Sequence, residues 1–167
     1  LHVAVHSFPT RRSSDLATTF EQAGVDAIRT AHARIASGQS DLMLVGGAYN
    51  AERRDMLLLF ELGGYLHRDD FQPVFEREAA PGLITGSAGA FLVLESAERA
   101  TARGARAYAK LSHTGAARSR RVAGTVQSAL NGLLGGFGPI AGNALAISAA
   151  TGCAGITAEE AAAIATA

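Results

Sequence analysis

The sequence predicts an α/β fold, and two stretches of it carry that prediction. Over residues 25–35 the apolar side chains recur at helical intervals, and Gly38 stands where a helix commonly ends. The apolar run 42–45 follows, so a helix leads into a strand, which is half of a β–α–β unit with a parallel sheet covered on both faces. In the second stretch, 82–95, small residues precede a short apolar run that predicts another buried strand.

The composition limits the classes of function. The chain has 167 residues, of which 48% are apolar, and this is long enough to bury a core. Its formal net charge is +0, so nothing indicates a nucleic-acid partner or an anionic membrane surface, and no apolar run is long enough to span a bilayer. Cys153 is the one cysteine, which excludes an internal disulfide and suits a cytoplasmic location. The polar residues 67–70 predict a turn and not a metal site, because adjacent side chains point in different directions.

The remaining elements follow from local patterns along the chain. Thr18 and Thr19 each precede an acidic or amide residue by three positions, which is the spacing of a capping box at the start of the first helix. A second capping box, at 157–160, predicts the start of the last helix. Between them we predict helices over 56–62, 97–105 and 126–134, and strands over 106–111 and 144–148.

Residues 1–16 have no sustained helical or strand period, and they lack the apolar segment and the cleavage site of a secretory signal. The segment HSFPTRRSSDL resembles the translation of a common sequencing-library adapter arm. We therefore expect residues 1–16 to be non-native and the natural sequence to begin near Ala17. A disordered N-terminus is the alternative, and the codons of the parent DNA decide between the two.

The stretch GLITGSAGAFLVLE resembles the strand G-[ED]-G-A-G-x-L-V-L-E of β-ketoacyl-ACP synthases, with Ser87 in place of the acidic residue. Three other segments are similar to the same family, namely DLMLVGGA, QPVFER and AERATARGARAYAKL. The resemblance implies a partial thiolase-like fold, layered β–α–β–α–β and truncated at both ends. It also implies that residues 17–111 end the N-terminal half of a ketosynthase and that residues 112–167 begin an incomplete C-terminal half.

The same resemblance marks where this chain departs from the chemistry of the family. Anchored on Gly24 and on DLMLVGGA, it places Glu21 at the position of the nucleophilic cysteine and Ala150 nearest to the position of a catalytic histidine. A carboxylate is stabilised at the start of a helix but is a poor acceptor in thioester exchange. No catalytic residue is therefore expected to be intact. Glu21 is either an ordinary acidic residue of the first turn or a functional replacement of the nucleophile, and Cys153 is expected to be an inert thiol.

Two further groups of residues are candidates for contact with an acyl chain. Leu58, Phe60 and Tyr65 belong to a segment that resembles the channel lining of the family, with ordinary core packing as the favoured alternative for each side chain. Gly86, Ser87 and Gly89 begin the glycine-rich strand, where the missing side chains let another backbone or a ligand approach closely.

The resemblance implies a fragment of a β-ketoacyl-ACP synthase-like acyltransferase of fatty acid or polyketide biosynthesis. Family members decarboxylate malonyl-ACP and condense the carbanion with a cysteine-bound acyl group. The implied partners are an acyl carrier protein and a ketosynthase subunit, in a homodimer or a heterodimer, and no cofactor or metal is implied. Two alternatives stay open: a non-condensing, chain-length-factor-like partner subunit, and a truncated reading frame without function. Glu21 and Ala150 cannot perform the chemistry, so this chain alone is expected to be inactive.

Overall fold

A computed structural model describes residues 23–120, 122–138 and 144–167. Within these ranges the chain combines helices with a small sheet, which is the mixed α/β architecture that the sequence predicts. In chain order the elements are α1 (Ala23–Ala36), β1 (Leu42–Tyr49), α2 (Arg54–Leu62), the 3-10 helix Val74–Glu76, β2 (Ala88–Glu95), α3 (Ala97–Ala102), α4 (Thr125–Gly135) and α5 (Ile156–Ala165).

The two strands form an antiparallel sheet, not the parallel sheet that the sequence predicts. Tyr49, the last residue of β1, lies opposite Ala88, the first residue of β2. Just outside the strands, the backbone N–H of Ala51 donates a hydrogen bond of 2.9 Å to Ser87 Oγ. The long connection between the strands therefore returns to the end of the sheet where it began, and this geometry requires antiparallel pairing. An apolar run indicates a strand but does not reveal its direction.

Helix α1 packs on one face of the sheet, mainly on β1. The approach is closest at a pair of glycines, because a Cβ built on Gly47 would lie 3.2 Å from the Cα of Gly24. Ala31 of α1 and Val45 of β1 are both buried. The two glycines therefore let the backbone of the helix lie directly on the backbone of the strand.

The opposite face of the sheet is uncovered in the part of the chain that the structure describes. Side chains alternate between the two faces along a strand, so Leu44 and its partner Val93 lie on the face away from Val45, together with Phe91. All three of these residues, which we call the open sheet face, are exposed, and Leu44 is 68% exposed. The prediction of two buried strands is wrong for this face. On the other face it holds for Val45 but not for its partner Leu92, which is also exposed, because α1 packs mainly on β1.

Helices α4 and α5 pack against each other around a second small core of Val126, Leu130 and Ala163. Helix α5 begins after Gly155, which has a φ of +71°, and no side chain caps its first turn. The capping box predicted at 157–160 therefore does not form. The carboxylate of Glu159 instead accepts hydrogen bonds from the first turn of α4.

Of the other predicted elements, α2 and α4 form as helices, whereas α3 ends at Ala102 and is shorter than predicted. Neither predicted strand, at 106–111 or at 144–148, is present. Tyr108, Leu145 and Ile147 are all strongly exposed. An apolar or alternating run becomes a strand only where a neighbour supplies backbone partners, and no segment within the described ranges does so here.

Candidate functional site

The position predicted for the nucleophile precedes the described part of α1. Glu21 lies outside the described residues, as does the capping pattern before it. The described helix begins at Ala23, and the next residue, Gly24, rests against Gly47 of β1. The glycine contact therefore positions the first described turn of α1 beside the second half of β1.

The three channel candidates occupy three different environments. Phe60 is only 2% exposed and is a core residue of α2, whereas Leu58, on the same helix, is 59% exposed. Residues two positions apart on a helix point in directions that differ by about 200°, so these two side chains lie on different sides of α2. Tyr65 is half-buried, and its ring lies over Gly63, where a Cβ would overlap it. Their role in a shared acyl channel stays a prediction.

The glycine-rich segment connects the start of β2 to the end of β1. Ser87 Oγ accepts a hydrogen bond from the N–H of Ala51 over 2.9 Å and donates to Oδ1 of Asn50 over 3.4 Å. Gly86 has open space where a side chain would be, and a Cβ on Gly89 would lie 3.3 Å from the Cβ of Ala48. In this chain Ser87 thus fastens two strand ends together, which a serine hydroxyl can do because it both donates and accepts.

The loop around Ala150 is held by polar side chains. Ser148 Oγ donates to Glu160 Oε1 over 2.6 Å and accepts from the N–H of Ala150 over 2.9 Å. Thr151 Oγ1 donates to Cys153 Sγ over 3.1 Å. The one thiol of the chain is therefore a half-buried hydrogen-bond acceptor in this loop.

A backbone hydrogen bond joins this loop to the segment that leads into β2. The N–H of Gly82 donates to the carbonyl oxygen of Gly152 over 2.9 Å, and Arg77 Nη1 donates to the carbonyl oxygen of Gly82 over 2.8 Å. Gly152 has a φ of +86°, and a Cβ there would overlap the Gly82 oxygen. Arg77, Gly82 and Gly152 thus form a contact, the Arg77 junction, that brings the Ala150 loop to the glycine-rich segment.

Sequence reasoning missed the Arg77 junction and the buried carboxyl of Glu160. Arg77 and Glu160 are 6% and 5% exposed, and both therefore needed polar partners that a linear pattern does not identify. The glycines at 82 and 152 were a usable signal, because an isolated glycine outside a regular element commonly marks a close backbone approach.

Charged hydrogen bonds fix the ends of two elements. At the end of β2, the guanidinium of Arg103, and to a lesser extent that of Arg99, holds the pKa of Glu95 below its ordinary value. At the start of α4, hydrogen bonds from the backbone N–H groups of Gln127, Gly124 and Val126 lower the pKa of Glu159. Both carboxylates therefore favour the folded state when they are ionised.

His67 is engaged in the turn that the sequence predicts. Its Nδ1 lies 2.9 Å from the carbonyl oxygen of Ala80, and its Nε2 lies 3.0 Å from that of Asp70. The described ranges contain no group of three or more His, Cys, Asp or Glu side chains that could hold a metal ion. In the same ranges no helix is long and apolar enough to cross a membrane.

Comparison with known proteins identifies the class of protein to which these features belong. The family described as "Beta-ketoacyl synthase, N-terminal domain" matches residues 16–100, which is half of the chain. The chain belongs to the β-ketoacyl synthase family, and its α/β architecture is consistent with part of the thiolase-like fold. This confirms the family and the fold class that the sequence predicts.

Among solved structures, one described as "The ishigamide ketosynthase/chain length factor" matches with 41% sequence identity and a TM-score of 0.42. The match covers 50% of this chain and 20% of the other, so this chain spans about a fifth of the length of the protein that it matches. No curated protein matches the chain.

Proposed function

We propose that this chain is part of a ketosynthase-family protein of fatty acid or polyketide biosynthesis, and that the chain itself does not carry the acyl group. The family reaction is a decarboxylative Claisen condensation in which a thiolate first accepts the acyl group from a carrier protein. The observation that supports the proposal is the position of the only sulfur nucleophile. Cys153 lies in the loop before α5, where it accepts a hydrogen bond from Thr151, and not at the start of α1.

The residue at the predicted nucleophile position favours the same conclusion. A helix start lowers the pKa of a thiol and so produces the thiolate that attacks a thioester. Glu21, the residue predicted for that position, has a carboxylate instead. Attack by a carboxylate would give an anhydride, which is a far more reactive acyl group than the thioester it came from. The equilibrium of such a transfer therefore opposes acyl loading on Glu21.

A second candidate function is that of a non-condensing partner subunit, and the open sheet face favours it. Leu44, Phe91 and Val93 form a contiguous apolar surface on neighbouring strands. Exposed apolar patches of this kind are typical of surfaces that contact another protein, and also of surfaces that aggregate. In this proposal the partner is a ketosynthase subunit with an intact cysteine, in a heterodimer, and an acyl carrier protein delivers the substrate. The single cysteine of this chain suits a cytoplasmic location.

A reconstitution assay tests both proposals. The chain is incubated with acyl-loaded and malonyl-loaded carrier protein, with and without a β-ketoacyl synthase that has its cysteine, and β-ketoacyl product is measured by mass spectrometry. Product from the chain alone would contradict the proposed function. Product that depends on the synthase and changes in amount or chain length when the chain is added supports the partner function.

A matched pair of variants tests the surface. Leu44→Asp places a charge on the open sheet face, whereas Leu62→Asp places one at an exposed apolar position on α2. The partner function predicts that Leu44→Asp abolishes the effect of the chain on the synthase and that Leu62→Asp retains it. Equal effects of the two variants would exclude the open sheet face as the contact surface. A chain without any cooperative unfolding transition would support the truncated, non-functional alternative.

A further inference from the structure

The Arg77 junction contains a buried positive charge without a matching negative one. Arg77 is 6% exposed, and its Nη1 donates to the carbonyl oxygen of Gly82. Its Nε is buried and has no hydrogen-bond partner. Its Nη2 makes no hydrogen bond within the described ranges and is not fully buried. A guanidinium stays charged in proteins, and a buried charge without a partner is strongly unfavourable.

Half of the other arginines in the described ranges have a carboxylate partner. Five arginines form ion pairs with Asp or Glu, and all five side chains are substantially exposed: Arg29, Arg53, Arg68, Arg99 and Arg103. Glu76 and Glu78 flank Arg77 in the sequence, but both are exposed and neither lies within ion-pair distance of it. The most buried arginine therefore has no carboxylate from the described part of the chain.

The free edge of Arg77 has the geometry of an anion receptor. Nε and Nη2 lie along one side of the planar guanidinium and present two parallel N–H donors, which match the two oxygens of a carboxylate or a phosphate. The missing side chain of Gly152 lets the neighbouring loop lie close to this edge. A Cβ at position 152 would lie only 3.3 Å from Nη2. Nη1 is occupied by Gly82, so the guanidinium is held in a fixed orientation, and its Nε–Nη2 edge makes no hydrogen bond within the described ranges.

A second unsatisfied donor lies on the element that packs against the same junction. Thr157 is 8% exposed, and its Oγ1 is buried without a hydrogen-bond partner. It is the second residue of α5, the helix that contacts the 3-10 helix directly before Arg77. The backbone N–H of Thr157 also donates to the carbonyl oxygen of Cys153, the residue after Gly152. Two buried groups without partners therefore flank the same loop.

We propose that Arg77, with Thr157, binds an oxyanion of the carboxylate or phosphate class at the junction between the 3-10 helix, the Gly152 loop and the start of α5. The anion accepts two hydrogen bonds from Nε and Nη2 of Arg77 and one from the hydroxyl of Thr157. It neutralises the buried charge and links the segment before β2 to helix α5. This inference goes beyond the proposed function and does not depend on a ketosynthase partner.

The test uses the Arg77 Nε–Hε signal in ¹H–¹⁵N spectra of the full chain, titrated with acetate and, separately, with inorganic phosphate. Sodium chloride at matched ionic strength is the control for screening. A saturable shift of this signal with acetate identifies a carboxylate site, and a saturable shift with phosphate identifies a phosphate site. A shift that only follows ionic strength, or no shift with either anion, overturns the proposal.

Variants separate a specific site from a general effect of charge. Arg77→Lys keeps the charge but removes the bidentate edge, and we expect it to weaken anion binding at least tenfold, measured by the anion-dependent rise in Tm. Thr157→Val removes one donor and should weaken binding about threefold to tenfold. Arg54→Lys, at an exposed position, should leave it unchanged. If Arg77→Lys does not fold, the comparison of Thr157→Val with the wild-type chain decides. An anion affinity that is unchanged in Thr157→Val overturns the role of Thr157 and the site as proposed.

Discussion

The contact between Glu159 and helix α4 gives the sharpest stability prediction. Helix α4 begins after Gly124, which has a φ of +80° and no side chain to cap the exposed N–H groups of the first turn. Glu159, on α5, supplies the cap: its carboxylate accepts hydrogen bonds from the N–H groups of Gly124 (2.8 Å), Val126 (2.9 Å) and Gln127 (3.0 Å). The same contact joins the two helices that form the second core.

The magnitude follows from these three bonds. Loss of a helix N-cap commonly costs about 1 kcal/mol, and loss of a negative charge at a helix start costs about 0.3–1 kcal/mol more. We therefore expect Glu159→Ala to lower the free energy of unfolding by about 1–2 kcal/mol. For a chain of this size that corresponds to a Tm lower by about 3–6 °C. Glu159→Gln keeps one acceptor without the charge, so its free energy of unfolding should lie between those of the wild-type chain and Glu159→Ala.

The pH dependence provides a second readout of the same contact. The backbone hydrogen bonds lower the pKa of Glu159 in the folded state relative to its value in the unfolded chain. The contribution of Glu159 to the free energy of unfolding is therefore complete above its pKa in the unfolded chain, about 4.3. It is lost as the pH falls through its lower pKa in the folded chain. The difference between the wild-type chain and Glu159→Ala should be constant near neutral pH and should shrink in acid.

Urea unfolding followed by circular dichroism at several pH values measures both effects. The control is Glu98→Ala, which removes an exposed glutamate from the first turn of the short helix α3. Glu98→Ala should change the stability by less than about 0.5 kcal/mol. If the two variants were equally stable, the carboxylate of Glu159 would not cap α4, and the reasoning would be refuted.

Three further predictions concern the packing at Phe60, the packing at Gly46 and the charge of Glu95. Phe60→Ala should cost about 3–4 kcal/mol because this side chain is almost fully buried, whereas Leu58→Ala should be nearly neutral, and urea unfolding distinguishes them. Gly46→Ala should cost about 2 kcal/mol or more, because its Cβ would overlap the carbonyl oxygen of Ala90 on the partner strand, whereas Gly86→Ala has open space and should be tolerated. Glu95→Gln should reduce the loss of stability in acid, because Arg103 lowers the pKa of Glu95 in the folded state. A pH dependence of unfolding that matches the wild-type chain would count against this.

Local patterns were sufficient to predict the α-helices and the two strands of the described residues, but not the 3-10 helix or the early end of α3. The helix over 25–35 and its end at Gly38 follow from apolar spacing and from a glycine that has a positive φ in the structure. The strands β1 and β2 follow from short apolar runs. What these runs could not supply was the pairing partner, and so the sheet direction was wrong, as were the strands at 106–111 and 144–148.

The contacts of the candidate site depend on residues far apart in the chain, and the sequence could not predict them. Glu159 lies in the first turn of its own helix, yet it caps α4, because Gly124 offers a helix start without a capping side chain. The sequence places Arg77 in a family-like segment, and its contact with Gly82 and Gly152 is visible only in the fold. The family itself was predictable because short glycine-containing segments with specific neighbours identify it, and the match over residues 16–100 confirms it.

The position of residue 21 can be tested without any partner protein. In a Glu21→Cys, Cys153→Ser chain, the rate of alkylation of the single thiol is measured as a function of pH. If residue 21 stands at a helix start where the family has its nucleophile, the thiol pKa should lie at least about one unit below the ordinary value of about 8.5. A pKa at or above about 8.5 would contradict this placement, and with it the conclusion that a carboxylate occupies the nucleophile position.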